Sequence, residues 1–257
     1  MVIHTLAAVG SHTIGFLSTF GRAFIFCFYA TLACFHWPLK LKEFFRQLYQ
    51  IGYLSLPVIG LTAIFSGMVL ALQSYTGFSR FSAESAISSV VALSITRELG
   101  PVLGGLMVAG RVGAAMAAEI GTMRVSEQID ALVTLSTNPM RYLVAPRVLA
   151  CTIALPLLVL CADAIGIFGG YAVAVYKLDF NSATYIDQTF QFLKQEDVVS
   201  GLIKACVFGY LIALMSCYQG YVSRGGAQGV GQATTRAVVL SSVLILIFNY
   251  ILTAMLF

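Results

Sequence analysis

No charged residue occurs between Arg46 and Arg80. A helix that crosses the hydrocarbon core of a bilayer needs about 20 consecutive, mostly apolar residues. This interval therefore has to hold a membrane span, about Tyr53–Tyr75. Pro57, Gly60 and Gly67 fall inside it, and membrane helices tolerate such residues. Four more apolar intervals follow, about Ala86–Ala118, Val148–Tyr176, Gly201–Tyr221 and Val238–Met255. The chain of 257 residues is 59% hydrophobic and 10% charged, against about 25% charged in a soluble domain. The expected fold class is an all-α membrane protein. Residues 1–257 form a single membrane domain, with five transmembrane helices in a 53–257 core.

Residues 1–45 read differently. Leu6, Val9, Ile14, Leu17 and Phe20 recur at helical spacing with polar residues between them, and the apolar run Ala23–Phe35 is too short for a span. Lys40, Lys42 and Arg46 then cluster. The segment is expected to form helices lying in the membrane interface, with Trp37 at headgroup level; a short first span is the alternative. Arg22, Lys40, Lys42, Arg46, Arg124, Arg141, Arg147, Arg224 and Arg236 collect on one side of the five spans, and Arg80, Lys177 and Lys194 on the other. The positive-inside rule then puts the N-terminus in the cytoplasm.

Span 2 carries a conflict. Gly105, Ala109, Gly113, Ala117 and Gly121 fall every fourth residue, a stripe that lets another backbone come close. Yet Arg97, Glu98, Arg111 and Glu119 are charged, which is costly in a membrane unless the charge meets a partner or a cavity. Gly100-Pro101 lies inside the span and predicts a kink or break just after Glu98. Arg97 and Glu98 are adjacent, so on a helix they point apart. They either pair with neighbouring spans or meet a polar ligand group. Asp163 and Lys204 are lone charges in spans 3 and 4; either they pair, or Lys204 reaches the outer interface.

Beyond Met123 the chain turns polar. Val125, Ile129, Leu132 and Val133 make one apolar face. The pattern predicts a short cytoplasmic helix over residues 125–138, capped by Ser126 and ended by Asn138-Pro139. It either lies on the membrane or is offered to a soluble partner. A second polar segment, Lys177–Ser200, has Ile186, Phe190 and Leu193 on one helical face, and Tyr221–Thr235 reads as a glycine-rich loop.

Several function classes fall away. The net charge of +4 comes from dispersed basic residues, so nucleic acid is not the expected partner. There is no phosphate loop, no H-E-x-x-H and no G-x-S-x-G, so any ATP hydrolysis belongs to a separate polypeptide. The six cysteines lie in apolar runs without a C-x-x-C pair, and the three histidines are scattered; no metal or cofactor is expected on this chain.

The stretch A-G-R-V-G-A-A-M-A-A-E-I-G-T-M-R-V-S-E-Q-I-D-A-L over 109–132, followed by N-P-M-R-Y-L-V-A-P-R over 138–147, closely resembles the MlaE family of ABC transporter permeases. R-E-L-G-P at 97–101, A-T-T-R at 233–236, F-G-R-A at 20–23 and R-Q-L-Y at 46–49 fit the same pattern. The resemblance implies an N-terminal interfacial helix and five spans in the bacterial inner membrane. It implies a symmetric dimer with a second copy, and a cytoplasmic ABC ATPase that carries the ATP and Mg. An MCE-domain lipid-binding protein on the outer side completes the assembly, which moves phospholipid between the inner and outer membranes. The family's coupling helix matches Glu127, Gln128, Ile129, Asp130 and Leu132, and its lipid pocket matches Arg97, Glu98, Leu99 and Leu70. Phe81 stands where some members carry tyrosine. The rival functions are a non-transporting membrane anchor for a lipid-binding partner and an intramembrane enzyme acting on lipids.

Overall fold

The computed structural model describes residues 2–35, 41–79 and 86–256, and these are helical apart from short turns. Helix α1 (Val2–Phe35) comes first. The amphipathic α2 (Leu41–Ile51) leads through a 3-10 turn, Tyr53–Ser55, into α3 (Leu56–Phe78). Then follow α4 (Ile87–Val125), the short α5 (Gln128–Thr134), α6 (Met140–Tyr176), α7 (Ser182–Phe192), α8 (Gln195–Tyr221) and α9 (Gly226–Leu256). Five of these are long and apolar enough to cross a membrane: α3 with its α2 lead-in, α4, α6, α8 and α9.

The N-terminal part is one helix up to Phe35 rather than several, and only Phe20–Phe35 of it is strongly apolar. Trp37 and Lys40 lie outside the described residues. One face of α1 packs on the bundle: the Phe26 ring sits 5.5 Å from Tyr218 and 5.6 Å from Tyr221, and the Thr31 hydroxyl bonds to that of Tyr210. Phe24, Ile25, Phe28 and Tyr29 face outward, as lipid-facing residues do.

Small residues set the helix spacing. A Cβ on Gly67 of α3 would sit 1.9 Å from the Gly166 carbonyl oxygen of α6, and one on Gly169 would sit 2.5 Å from the Ile64 oxygen. The stripe in α4 does what its spacing predicted. Gly105 lies against Phe208, Gly113 against Ile212 and Ser216, Ala117 against Gly220, and Gly121 against Ser223. The contacts rise together along both chains, so α4 and α8 run parallel.

Two segments differ from the sequence reading. The glycine-rich stretch is mostly helix, because α9 already starts at Gly226. Only residues 222–225 turn, with Gly225 and Gly226 at φ of +91° and +69° where a side chain would be strained. In α7 the inward residues are Tyr185 and Thr189, while Ile186 and Phe190 point out. The Asn181 side chain caps this helix, accepting from the Ala183 and Thr184 amides at 3.0 and 3.3 Å. Asn181→Ala is expected to loosen α7 by about 1 kcal/mol, seen as faster amide exchange confined to residues 182–192.

Candidate functional site

Of the expected kink or break in α4, the break is absent: the helix is continuous from Ile87 to Val125. Its disturbance takes another form, a π-helical turn over Ile95–Leu99 closed by the Gly100 amide on the Ile95 carbonyl. The packing against α6 shows the effect of the extra residue. Gly104 meets Val159, Gly100 meets Asp163, Ile95 meets Gly166 and Val91 meets Gly170. Ile95 and Gly100 both stay on the α6 face although five residues separate them, and Arg97 and Glu98 are turned towards α8 and α9. Pro101 cannot donate to the Arg97 carbonyl as an α-helical residue would. Lys204 of α8 does so instead, its Nζ 2.8 Å from that oxygen.

The same ammonium donates to Glu98 Oε1 at 2.7 Å. Glu98 also accepts from Asn249 Nδ2 at 2.8 Å and Thr253 Oγ1 at 3.1 Å, both on α9. Arg97 Nε donates to Asp197 Oδ1 at 2.7 Å, and Asp197 Oδ2 caps α8 by accepting the Lys194 amide at 3.0 Å. Each ion pair joins a buried partner on α8 to a part-exposed one on α4: the side chains of Lys204 and Asp197 are 0% and 2% exposed, those of Glu98 and Arg97 38% and 37%. Both α4 charges are thus compensated while their side chains stay more than a third exposed. Of the two alternatives for Asp163 and Lys204, the pair does not form; Lys204 turns to Arg97 and Glu98 instead. Asp163 lies against Gly100, and its Oδ1 has no hydrogen-bond partner among the described residues.

Next to Leu99 and Gly100 lies a narrow apolar cleft of about 20 Å³ between α3 and α4. Ile59, Ala63, Leu99, Leu103 and Met107 line it. Leu99 and Leu70 pack on one small cluster formed by Ala71, Ile87, Val91 and Ile95, so the structure brings these two together, whereas Arg97 and Glu98 face α8 and α9. Phe81 lies outside the described residues. Sequence reasoning missed Asp197, Asn249 and Thr253. The only signal for Asn249 was an amide isolated in the apolar run Ile247–Ile251.

At the other end of α4 the chain turns sharply. Glu127 has a positive φ of 60°, and α5 follows as Gln128–Thr134, shorter than the expected 125–138. Ser126 does not cap it, because its hydroxyl donates back to the Thr122 carbonyl at 2.7 Å. Asn138 serves the next helix, accepting the Met140 amide at 2.9 Å. Ile129 is fully buried and Leu132 partly so, whereas Glu127, Gln128, Asp130, Val133 and Leu135 are exposed. Asp130 also braces the turn, accepting from Arg124 Nη1 at 2.6 Å. Glu119 and Arg147 tie α4 to α6 at 2.7 Å.

A multi-span helical bundle, with compensated charges beside an apolar cleft and a short polar helix exposed at one end, has the layout of a membrane permease. The family model described as Permease MlaE matches residues 44–255, and the chain belongs to that family. A probable ABC transporter permease protein of Rickettsia prowazekii is 60% identical over 257 residues, covering 100% of this chain and 99% of that protein. The intermembrane phospholipid transport system permease protein MlaE of Haemophilus influenzae is 37% identical over 262 residues, again covering 100% and 99%. The chloroplastic protein TRIGALACTOSYLDIACYLGLYCEROL 1 of Arabidopsis thaliana is 41% identical over 224 residues, 86% of this chain and 62% of that protein.

Proposed function

We propose that this chain is the membrane-spanning subunit of an ABC transporter that moves phospholipids between the inner and outer membranes. It lies in the bacterial inner membrane with its N-terminus cytoplasmic. The observation that carries the reading is the part-exposed charge network at Arg97 and Glu98 near the apolar cleft. Acyl chains need only an apolar surface, and a headgroup needs a few compensated charges that stay part-exposed. The MlaE protein of Haemophilus influenzae, matched over nearly its whole length, is named for intermembrane phospholipid transport, which supports the same substrate.

The remaining parts follow from this. ATP and Mg are bound by a separate cytoplasmic ATPase that docks on α5 through Glu127, Gln128, Ile129, Asp130 and Leu132. A second copy closes the cavity over the outward faces of α3 and α9, where Phe65, Val69, Val243 and Leu246 are exposed. An MCE-domain protein passes the lipid on at the outer side. Closure of the ATPases pushes α5, and α4 carries the displacement to Arg97 and Glu98. A photo-crosslinker at Leu99 in native membranes is expected to capture phospholipid, and its failure to do so would refute the pocket. Glu127→Ala combined with Gln128→Ala is expected to weaken co-purification of the ATPase at least tenfold, since exposed polar anchors of an interface each contribute about 1–2 kcal/mol. Undiminished co-purification would remove α5 from the coupling path.

A further inference from the structure

Four arginines meet at the end of the bundle that carries α5. Arg22 of α1, Arg124 of α4, Arg224 of the turn before α9 and Arg236 of α9 line one pocket of about 520 Å³, with Tyr218 and Tyr221 of α8 among them. The packing of α1 explains how Arg22 arrives there. Phe26 lies against Tyr218 and Tyr221, and Thr31 against Tyr210, so α1 runs antiparallel to α8 and Arg22 falls beside the end of α8. Arg124 is held by Asp130 at 2.6 Å and lies over the Tyr221 ring, 5.7 Å from its centroid. Among the described residues Asp130 is the one carboxylate that pairs with any of the four. Arg22 gives its Nε to the Ser18 carbonyl. Arg224 and Arg236 are exposed, and neither has a side-chain bond among the described residues. Like charges gathered around one hollow repel, and an anion seated among them removes that cost.

Depth identifies the anion. Beyond Arg236, α9 carries no charge from Ala237 to its end at Leu256. That run matches the ~20 residues that cross the hydrocarbon core, so Arg236 stands where the core begins. Arg22 likewise precedes the uncharged run Ala23–Phe35. The face that bears each arginine continues as exposed apolar surface: Ile25 and Tyr29 on α1, and Val239, Leu240 and Val243 on α9. An occupant therefore meets cations at its head and apolar side chains along its length, which is the form of a lipid with its phosphate at the interface. Guanidinium groups bind phosphate oxygens two at a time, and four cations against one carboxylate favour a headgroup with net negative charge. We infer that this pocket holds the phosphate of an anionic phospholipid, which clasps α1 to α8 and α9 beside the turn into α5. In the orientation proposed above, that lipid belongs to the cytoplasmic leaflet. The site goes beyond the transport reading, because it shares no lining residue with the cleft between α3 and α4 and its lipid stays as part of the bundle.

The test places a photo-crosslinker at Val222, which lines the pocket, in the full-length chain. The protein is reconstituted in vesicles of phosphatidylethanolamine and phosphatidylglycerol in equal amounts. Capture of lipid is expected, enriched in phosphatidylglycerol. Arg224→Gln combined with Arg236→Gln should lower it at least about tenfold, as loss of two basic side chains at an anionic surface does; the corresponding double lysine variant should keep most of it. Both positions are exposed, so the glutamine variant in lipid-free detergent should melt no lower than the native protein. Added phosphatidylglycerol should raise the melting temperature of the native protein and not that of the glutamine variant, since a ligand stabilises only a state that binds it. Equal capture of the two lipids overturns the anionic preference, and capture undiminished by the glutamine variant overturns the pocket. Millimolar inorganic phosphate should leave capture intact, because it has no apolar part; full displacement makes the pocket a free-anion site and overturns the lipid. A cross-link from 222 to a neighbouring polypeptide makes the pocket a protein interface and overturns the inference.

Discussion

Lys204→Met is expected to destabilise the chain by about 3 kcal/mol and to abolish lipid transport. The ammonium is fully buried and makes two contacts, to the Glu98 carboxylate and to the Arg97 carbonyl, to which Pro101 cannot donate. Removing one partner of a buried pair costs about 3–5 kcal/mol. The lower end applies because Glu98 is more than a third exposed and keeps Asn249 and Thr253. Thermal unfolding of the purified protein measures the first effect and lipid transfer between vesicles the second. The double variant Lys204→Met with Glu98→Gln should recover more than half the stability, since no uncompensated carboxylate remains, but not the transport. If Lys204→Met melts with the native protein, the network does not hold α4 to α8.

Gly67→Ala is the second large effect. The added methyl would lie 1.9 Å from the Gly166 oxygen and 2.8 Å from its carbonyl carbon. Those atoms are backbone, so no side-chain rotation relieves the clash, and α3 and α6 have to separate. Overpacking costs about 1–3 kcal/mol even where neighbours yield, and about 3 kcal/mol or more is expected here. The cleft would widen as α3 shifts, so photo-capture at Leu99 should fall along with the melting temperature. Gly77→Ala, on the same helix with nothing within 4 Å of the new atom, is the matched control and should melt unchanged. Equal behaviour of the two variants would show that close approach of α3 and α6 is not what fixes their spacing.

The five spans were legible because lipid imposes a simple rule, long runs that are mostly apolar, and each interval after Arg46 keeps its charges few. The small-residue stripe in α4 was legible for a similar reason: its period is that of the helix, and one neighbour occupies one face. The site was only partly legible. Arg97 and Glu98 stood out as charges in an apolar segment, but their partners come from residues 100 to 155 positions away, and helical spacing within one segment carries no information about that pairing. Proline was a misleading sign. It predicts a lost hydrogen bond correctly, but a buried lysine from another helix replaces it, and the strain appears as a π-turn instead of a break. The start of α9 was misread because glycine was weighed as a loop residue, whereas Gly229 and Gly231 are carried as the first turns of a helix that continues unbroken to Leu256. Ser126 was misplaced as a cap because the turn at Glu127 requires a left-handed residue, which no local preference of glutamate announces.

The matched small residues of α4 and α8 constrain how the molecule can move. A Cβ on Gly220 would already be 2.8 Å from the Ala117 oxygen, and one on Gly113 2.9 Å from Ser216 Oγ. With that seam closed along its length, and ion pairs locking its far end, the two helices share one set of mechanical freedoms. They can tilt or translate together, but sliding past each other would drive backbone into backbone. Any working stroke has to be taken up outside that pair, towards α9, whose uncovered face offers compliance that the central helices have given up.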